Sequence, residues 1–110
     1  RARTDRARVE ADVARADTEV MRQRVLSAVE EAYLDVEAAR GALPVLRHSV
    51  EAAVANYEQA NARFDAGMSN AVELADAEEL RTDAEIQLAL GTFELARTRA
   101  TLGRLMAETP

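Results

Sequence analysis

The sequence predicts an all-α protein, a long antiparallel coiled-coil hairpin of two helices joined at one small tip. Three observations predict it. Apolar residues repeat every seven positions from Val29 through Val36, Leu43, Val50 and Tyr57 to Phe64, and a second set, Ala32, Ala39, Leu46, Ala53 and Ala60, falls between them. That 3-4 spacing is the seam of a left-handed coiled coil. The seam stops at Asp65-Ala66-Gly67-Met68-Ser69-Asn70, the one stretch that cannot be helix, and another apolar helical pattern begins at Ala71. Finally, hydrophobic residues make up 48% of the chain but aromatics only 4%, with alanine about a fifth. Such a composition suits closely spaced helices and cannot fill a thick globular interior.

The first helix is justified by what it lacks. Residues 2–40 contain no Gly or Pro and are rich in Ala, Arg, Glu and Leu, all good helix formers. Val9, Val13, Ala16 and Val20 have helical spacing but form a thin stripe. The pattern thickens from Val25 to Tyr33, where Leu26 and Tyr33 add a second apolar edge. At Gly41-Ala42-Leu43-Pro44 the helix could end, because Pro44 cannot donate to the carbonyl of Arg40 and costs about 3 kcal/mol in a helix interior. Val36, Leu43 and Val50 nevertheless keep their seven-residue spacing across the proline, which a loop has no reason to preserve. The reading is a single helix from about residue 3 to residue 65, kinked near Pro44.

Gly67 is the natural C-terminal cap of that helix, since it can turn left-handed without a side-chain clash. Ser69 or Asn70 then caps the second helix, with Glu73 three residues after Asn70 as the acid of a capping box. So short a connection forces the helices antiparallel. The second helix is expected from about residue 71 to residue 106 with two apolar edges. One contains Leu74, Ala77, Ala84, Leu88, Gly91, Leu95 and Leu102; the other, roughly opposite, contains Val72, Ile86, Ala89, Leu90, Phe93, Ala96 and Ala100. A helix in an isolated hairpin needs one edge, so two imply a second neighbour. The unequal helix lengths leave roughly 25 N-terminal residues without a partner in the chain. Exposed edges of this kind predict that the 110-residue chain self-associates.

Charge and composition narrow the function. A net charge of −6 argues against nucleic-acid binding, which needs a basic face. Residues 1–24 carry seven Arg against five acids, whereas 63–83 carry six acids against Arg63 and Arg81, so the acidic surplus lies at and just after the tip. The absence of Cys removes disulfides and thiolate metal sites. His48 is the sole histidine and reads as a solvated or interfacial helix residue, so nucleophilic triads and His-based metal sites are not available. Asp76, Glu79 and Asp83 share one helical face, a spacing that could hold a hydrated cation but better fits solvated surface. An enzyme is not indicated and no cofactor is implied. Tyr57 and Phe64 read as seam packing; Met68, at the tip with no seam to join, is a plausible contact for a partner. No apolar run approaches the roughly 20 residues of a membrane-spanning helix, and no signal peptide is visible. A first residue other than Met suggests a hairpin taken from a longer protein.

The stretch Arg63-Phe64-Asp65-Ala66-Gly67-Met68-Ser69-Asn70-Ala71-Val72-Glu73-Leu74-Ala75-Asp76-Ala77-Glu78 resembles the second periplasmic hairpin of the outer-membrane efflux proteins of the TolC type. Their pattern there is an Arg and an aromatic, two residues, Gly, a small polar pair, then an acidic-aliphatic step. Upstream, Val29, Ala32-Tyr33-Leu34-Asp35-Val36 and Ala39, and downstream, Ala84, Leu88, Phe93, Ala96 and Leu102-Gly103, fall in the family's order, so that the resemblance covers about residues 8–106. It implies one hairpin of a periplasmic α-helical barrel, built by three protomers below a β-barrel in the outer membrane of a Gram-negative bacterium. It further implies transport by tripartite efflux or type I secretion, with the periplasmic adaptor (membrane fusion) protein docking at Ala66, Gly67, Met68 and Ser69. Met68 and Asn70 depart from the family, which often has Leu or Thr and a small residue there. The alternative is a self-contained structural coiled-coil hairpin for oligomerisation, without a transport role; composition and heptads alone support it equally.

Overall fold

The computed structural model describes residues 1–109. They form two helices, α1 (Ala2–Asp65) and α2 (Ala71–Glu108), folded back on each other through a five-residue connection into a rod 97 × 20 × 14 Å. The all-α hairpin expected from the heptads is thus observed, with α1 starting one residue earlier and α2 ending two residues later than expected. Helix α1 passes through Pro44 without interruption. Sixty-four residues at 1.5 Å each amount to about 95 Å of helix, close to the full 97 Å length of the rod. The seam on both sides of Pro44 holds the helix together where its own hydrogen-bond ladder is broken.

The seam is the one the heptads specify. Ala32, Val36, Ala39, Leu43, Ala77 and Leu95 are buried, and Leu46, Leu88 and Leu102 pack against them. Tyr57 is half-buried and Phe64, at the last layer, is 39% exposed. At Gly91 the helices approach closely: a side chain there would run into the δ-methyl of Leu46, so this glycine is the hole that receives Leu46. Thr98 is also buried, its hydroxyl donating to the carbonyl of Leu95 at 3.0 Å. Gly41 and Gly103, by contrast, face open space, although a glycine inside a helix costs about 1 kcal/mol relative to Ala.

The core is thin. No large side chain is fully buried, and the chain exposes 8499 Å², against about 6,000 Å² for a compact protein of its mass. Residues 1–24 have no counterpart on α2, and Val9, Val13, Val20 and Met21 are all about half exposed or more. The rest of the surface is laced by ion pairs within single helices, such as Glu94 with Arg97 at 2.6 Å. Hydrogen bonds from Arg97 hold the Glu94 carboxyl below its usual pKa, and those from Arg22 and Gln23 do the same for Glu19. These small contributions are present above the ordinary carboxylate pKa and are lost as the pH falls.

Candidate functional site

The tip is built by backbone geometry first. Ala66 closes the last helical turn by donating to the carbonyl of Ala62, and Gly67 then takes φ +73°, the only positive φ among the described residues. That turn lets the Gly67 N–H reach the carbonyl of Phe64 at 3.0 Å and the Met68 N–H reach that of Arg63 at 2.8 Å. The pair of bonds is a Schellman motif, which satisfies carbonyls left over at the helix end. Gly67 is therefore the cap that its place in the sequence predicts.

Helix α2 starts from the other side of the same turn. Asn70 is in extended conformation and its Oδ1 accepts from the Glu73 N–H at 2.9 Å. Asn70 rather than Ser69 is the cap. The expected capping box forms on that side, but the Glu73 carboxylate lies 3.8 Å from the Arg63 guanidinium, across the tip. This is the one ion pair that joins the two helices among the described residues, and with both side chains about half exposed it is worth about 0–1 kcal/mol. One layer deeper, the Arg81 guanidinium stands 4.9 Å over the ring of Tyr57, a second cross-helix tie. Replacing Asn70 with Ala should destabilise the hairpin by about 1 kcal/mol, since the cap is exposed and singly bonded. Urea titration followed by circular dichroism measures it, and a change under 0.3 kcal/mol contradicts the assigned cap.

The four residues singled out at the tip are brought together by this turn. Ala66, Gly67 and Met68 are exposed and Ser69 is half-buried. Met68 occupies the position that in a Schellman motif often packs back on the last helical turn; here the residue it would cover is Arg63, and Met68 stays 70% exposed at the end of the rod. The Ser69 hydroxyl is buried without a hydrogen-bond partner among the described residues. Sequence reasoning missed Arg63 and Arg81 as ties between the helices, because spacing within one helix does not reveal its partner across the seam.

The other candidates lie away from the tip. The His48 side chain is 83% exposed, 4.0 Å from Glu51 on the same helix. Asp76, Glu79 and Asp83 are exposed along α2, and no group of three or more His, Asp or Glu residues among the described ones is arranged to hold a metal ion. No helix of the described residues is long and apolar enough to cross a membrane.

No curated protein and no solved structure matches the chain. The family model described as outer membrane efflux protein matches residues 1–108, which takes in both helices, the seam and the tip. A helical hairpin with its second apolar edge open, matched over its length by that family, identifies the chain as a member of the outer membrane efflux protein family, whose members are transport channels rather than enzymes.

Proposed function

We propose that this hairpin is one stave of the periplasmic α-helical barrel of a trimeric outer-membrane channel, serving tripartite efflux or type I secretion. Its tip, Ala66, Gly67, Met68 and Ser69, docks the periplasmic adaptor protein. The observation that carries this reading is the outer edge of α2. Val72, Ile86, Leu90 and Phe93 are 67%, 49%, 56% and 67% exposed on a helix whose other edge is already packed on α1. A helix that is apolar on two sides fits a wall of helices standing side by side. Family membership supplies the outer-membrane and transport context. For docking, the support is the exposed Met68 at the end of a tip fixed by three backbone hydrogen bonds: a soft, adaptable apolar side chain on a rigid support.

The test is Met68→Asp in the full-length protein. The turn is made by backbone groups, so trimer assembly in the outer membrane should be unchanged while adaptor-dependent export falls at least tenfold. Export at the normal rate by a normally assembled trimer contradicts docking through Met68.

A further inference from the structure

Among the described residues Thr98 is the only buried polar one, and it lies on the seam between Leu95 and Leu102, where Val would fill the same space. Its hydroxyl spends its proton on the Leu95 carbonyl at 3.0 Å. Three residues on, the Thr101 hydroxyl spends its own on the Arg97 carbonyl at 3.1 Å. Each oxygen keeps lone pairs that can only accept. Beside them the two helices leave a niche of about 20 Å³, lined by Ala32 and Asp35 of α1 and by Arg97, Thr98 and Thr101 of α2.

The niche has a charge of each sign beside it, and the two do not meet. Arg97 is turned to Glu94 on its own helix, its Nε and Nη2 donating at 2.9 and 2.6 Å, which leaves the Nη1 N–H groups to spare. Asp35 forms no ion pair among the described residues, yet its carboxylate adds, after the larger contributions of Glu94, to the upward shift of the Arg97 pKa. A cation entering the niche would meet the guanidinium and an anion the carboxylate, so the place suits a neutral, dipolar occupant. One water needs about 10–15 Å³, and the niche holds that and nothing larger. A water also has the right capacity: two protons for the acceptors of Asp35 and Thr98, and a lone pair for an Arg97 N–H. Three bonds is the usual number for a water held between protein groups.

We propose that the niche binds a single ordered water, which donates to the Asp35 carboxylate and to the Thr98 hydroxyl oxygen and accepts from the Arg97 guanidinium, joining α1 to α2. The water gives an otherwise apolar stretch of seam a polar layer, and this layer joins the Leu46–Gly91 contact in fixing the register of the two helices. A seam of Ala and Leu nearly repeats itself every seven residues, so apolar contacts alone discriminate weakly against a slip by one heptad. After such a slip the place of Asp35 would be taken by Ala28 or Ala42, and neither can receive the water's proton. The inference concerns the inside of the hairpin and is independent of the wall and of the tip.

A crystal structure of the full-length protein that shows ordered water should place one within about 3.2 Å of the Asp35 carboxylate, Thr98 Oγ1 and an Arg97 nitrogen. The Thr98→Val variant keeps the shape of the side chain and loses the acceptor, and should show no water there. Direct contact between Asp35 and Arg97 across a closed niche, or a water in the same place in Thr98→Val, overturns the proposal. Urea unfolding of the 110-residue chain gives the energetic counterpart. Asp35→Ala should raise the unfolding equilibrium constant about fivefold. In a Thr98→Val background the same change should raise it less than about twofold, because the water that both residues serve is already lost. Asp35→Asn, whose amide oxygen can still receive the water's proton, should retain most of the wild-type stability. Effects of Asp35→Ala and Thr98→Val that simply add overturn the proposal. So does an Asn variant as unstable as the Ala one, since Asp35 would then act by attraction to Arg97 and not through a bound water.

Discussion

Replacing Gly67 with Val should cost the hairpin about 1–2 kcal/mol and, in the full-length protein, abolish adaptor-dependent export while leaving the trimer assembled. The first effect is torsional. A side chain at Gly67 meets nothing within 4 Å, so the cost comes from φ +73°, which a β-branched residue tolerates poorly. Gly67→Asn, which visits the left-handed region more readily, should cost clearly less. Urea denaturation of the 110-residue chain compares the two, and equal losses would mean that crowding rather than backbone conformation sets the cost. The second effect follows if the tip is the docking surface: relieving the strain moves Met68 and Ser69, while the seam deeper in the rod is untouched. If Gly67→Val and Met68→Asp both export normally while Leu88→Asp, on the seam, fails, the tip is only a turn and the protein is better described as a scaffold.

The seam should show its own dependence, and a larger one. Leu95 is 8% exposed and packs with Val36, Ala39 and Leu43 in the centre of the core. Leu95→Ala should therefore destabilise the chain by about 2–3 kcal/mol, the low end for a buried Leu because a two-helix seam can partly collapse around the gap. Leu80→Ala on the same helix, where Leu80 is 57% exposed, should change stability by less than about 0.5 kcal/mol. Thermal unfolding at matched concentration separates them. Similar effects at the two positions would mean that the hairpin buries α2 through a different face.

The seam was legible because a heptad states both the helix and the face it buries. Val29, Val36, Leu43, Val50 and Tyr57 need no partner sequence to be placed, and each is buried or half-buried. Gly67 could be placed as well, and the second cap narrowed to Ser69 or Asn70, since the chemistry of a cap is local; the structure decides for Asn70. What the sequence did not reveal depends on the other helix. Glu73 sits where a capping acid belongs, yet its carboxylate turns toward Arg63, a residue brought close only by the turn. Thr98 looks polar and is 4% exposed; its position three residues after Leu95 and four before Leu102 was the available signal, and its hydroxyl is satisfied within its own helix. The continuity of α1 through Pro44 was legible too, because Val36, Leu43 and Val50 keep their spacing across the proline, and the helix runs uninterrupted from Ala2 to Asp65. The tip could be located from the sequence; whether Ala66, Gly67, Met68 and Ser69 bind the adaptor is a question for the variants above.

The repeat that builds the seam also makes the rod a ruler. Each layer contacts only the layers above and below it, so removing seven residues from α1 and the facing seven from α2 brings every remaining knob back to an equivalent hole. The rod shortens by about 10 Å and its tip is unaltered. Removing three or four residues instead rotates the outer edge of α2 out of line with the seam. Reach is therefore adjustable in whole heptads, and a protein that had to span a gap of fixed width could be fitted to it without redesigning either end.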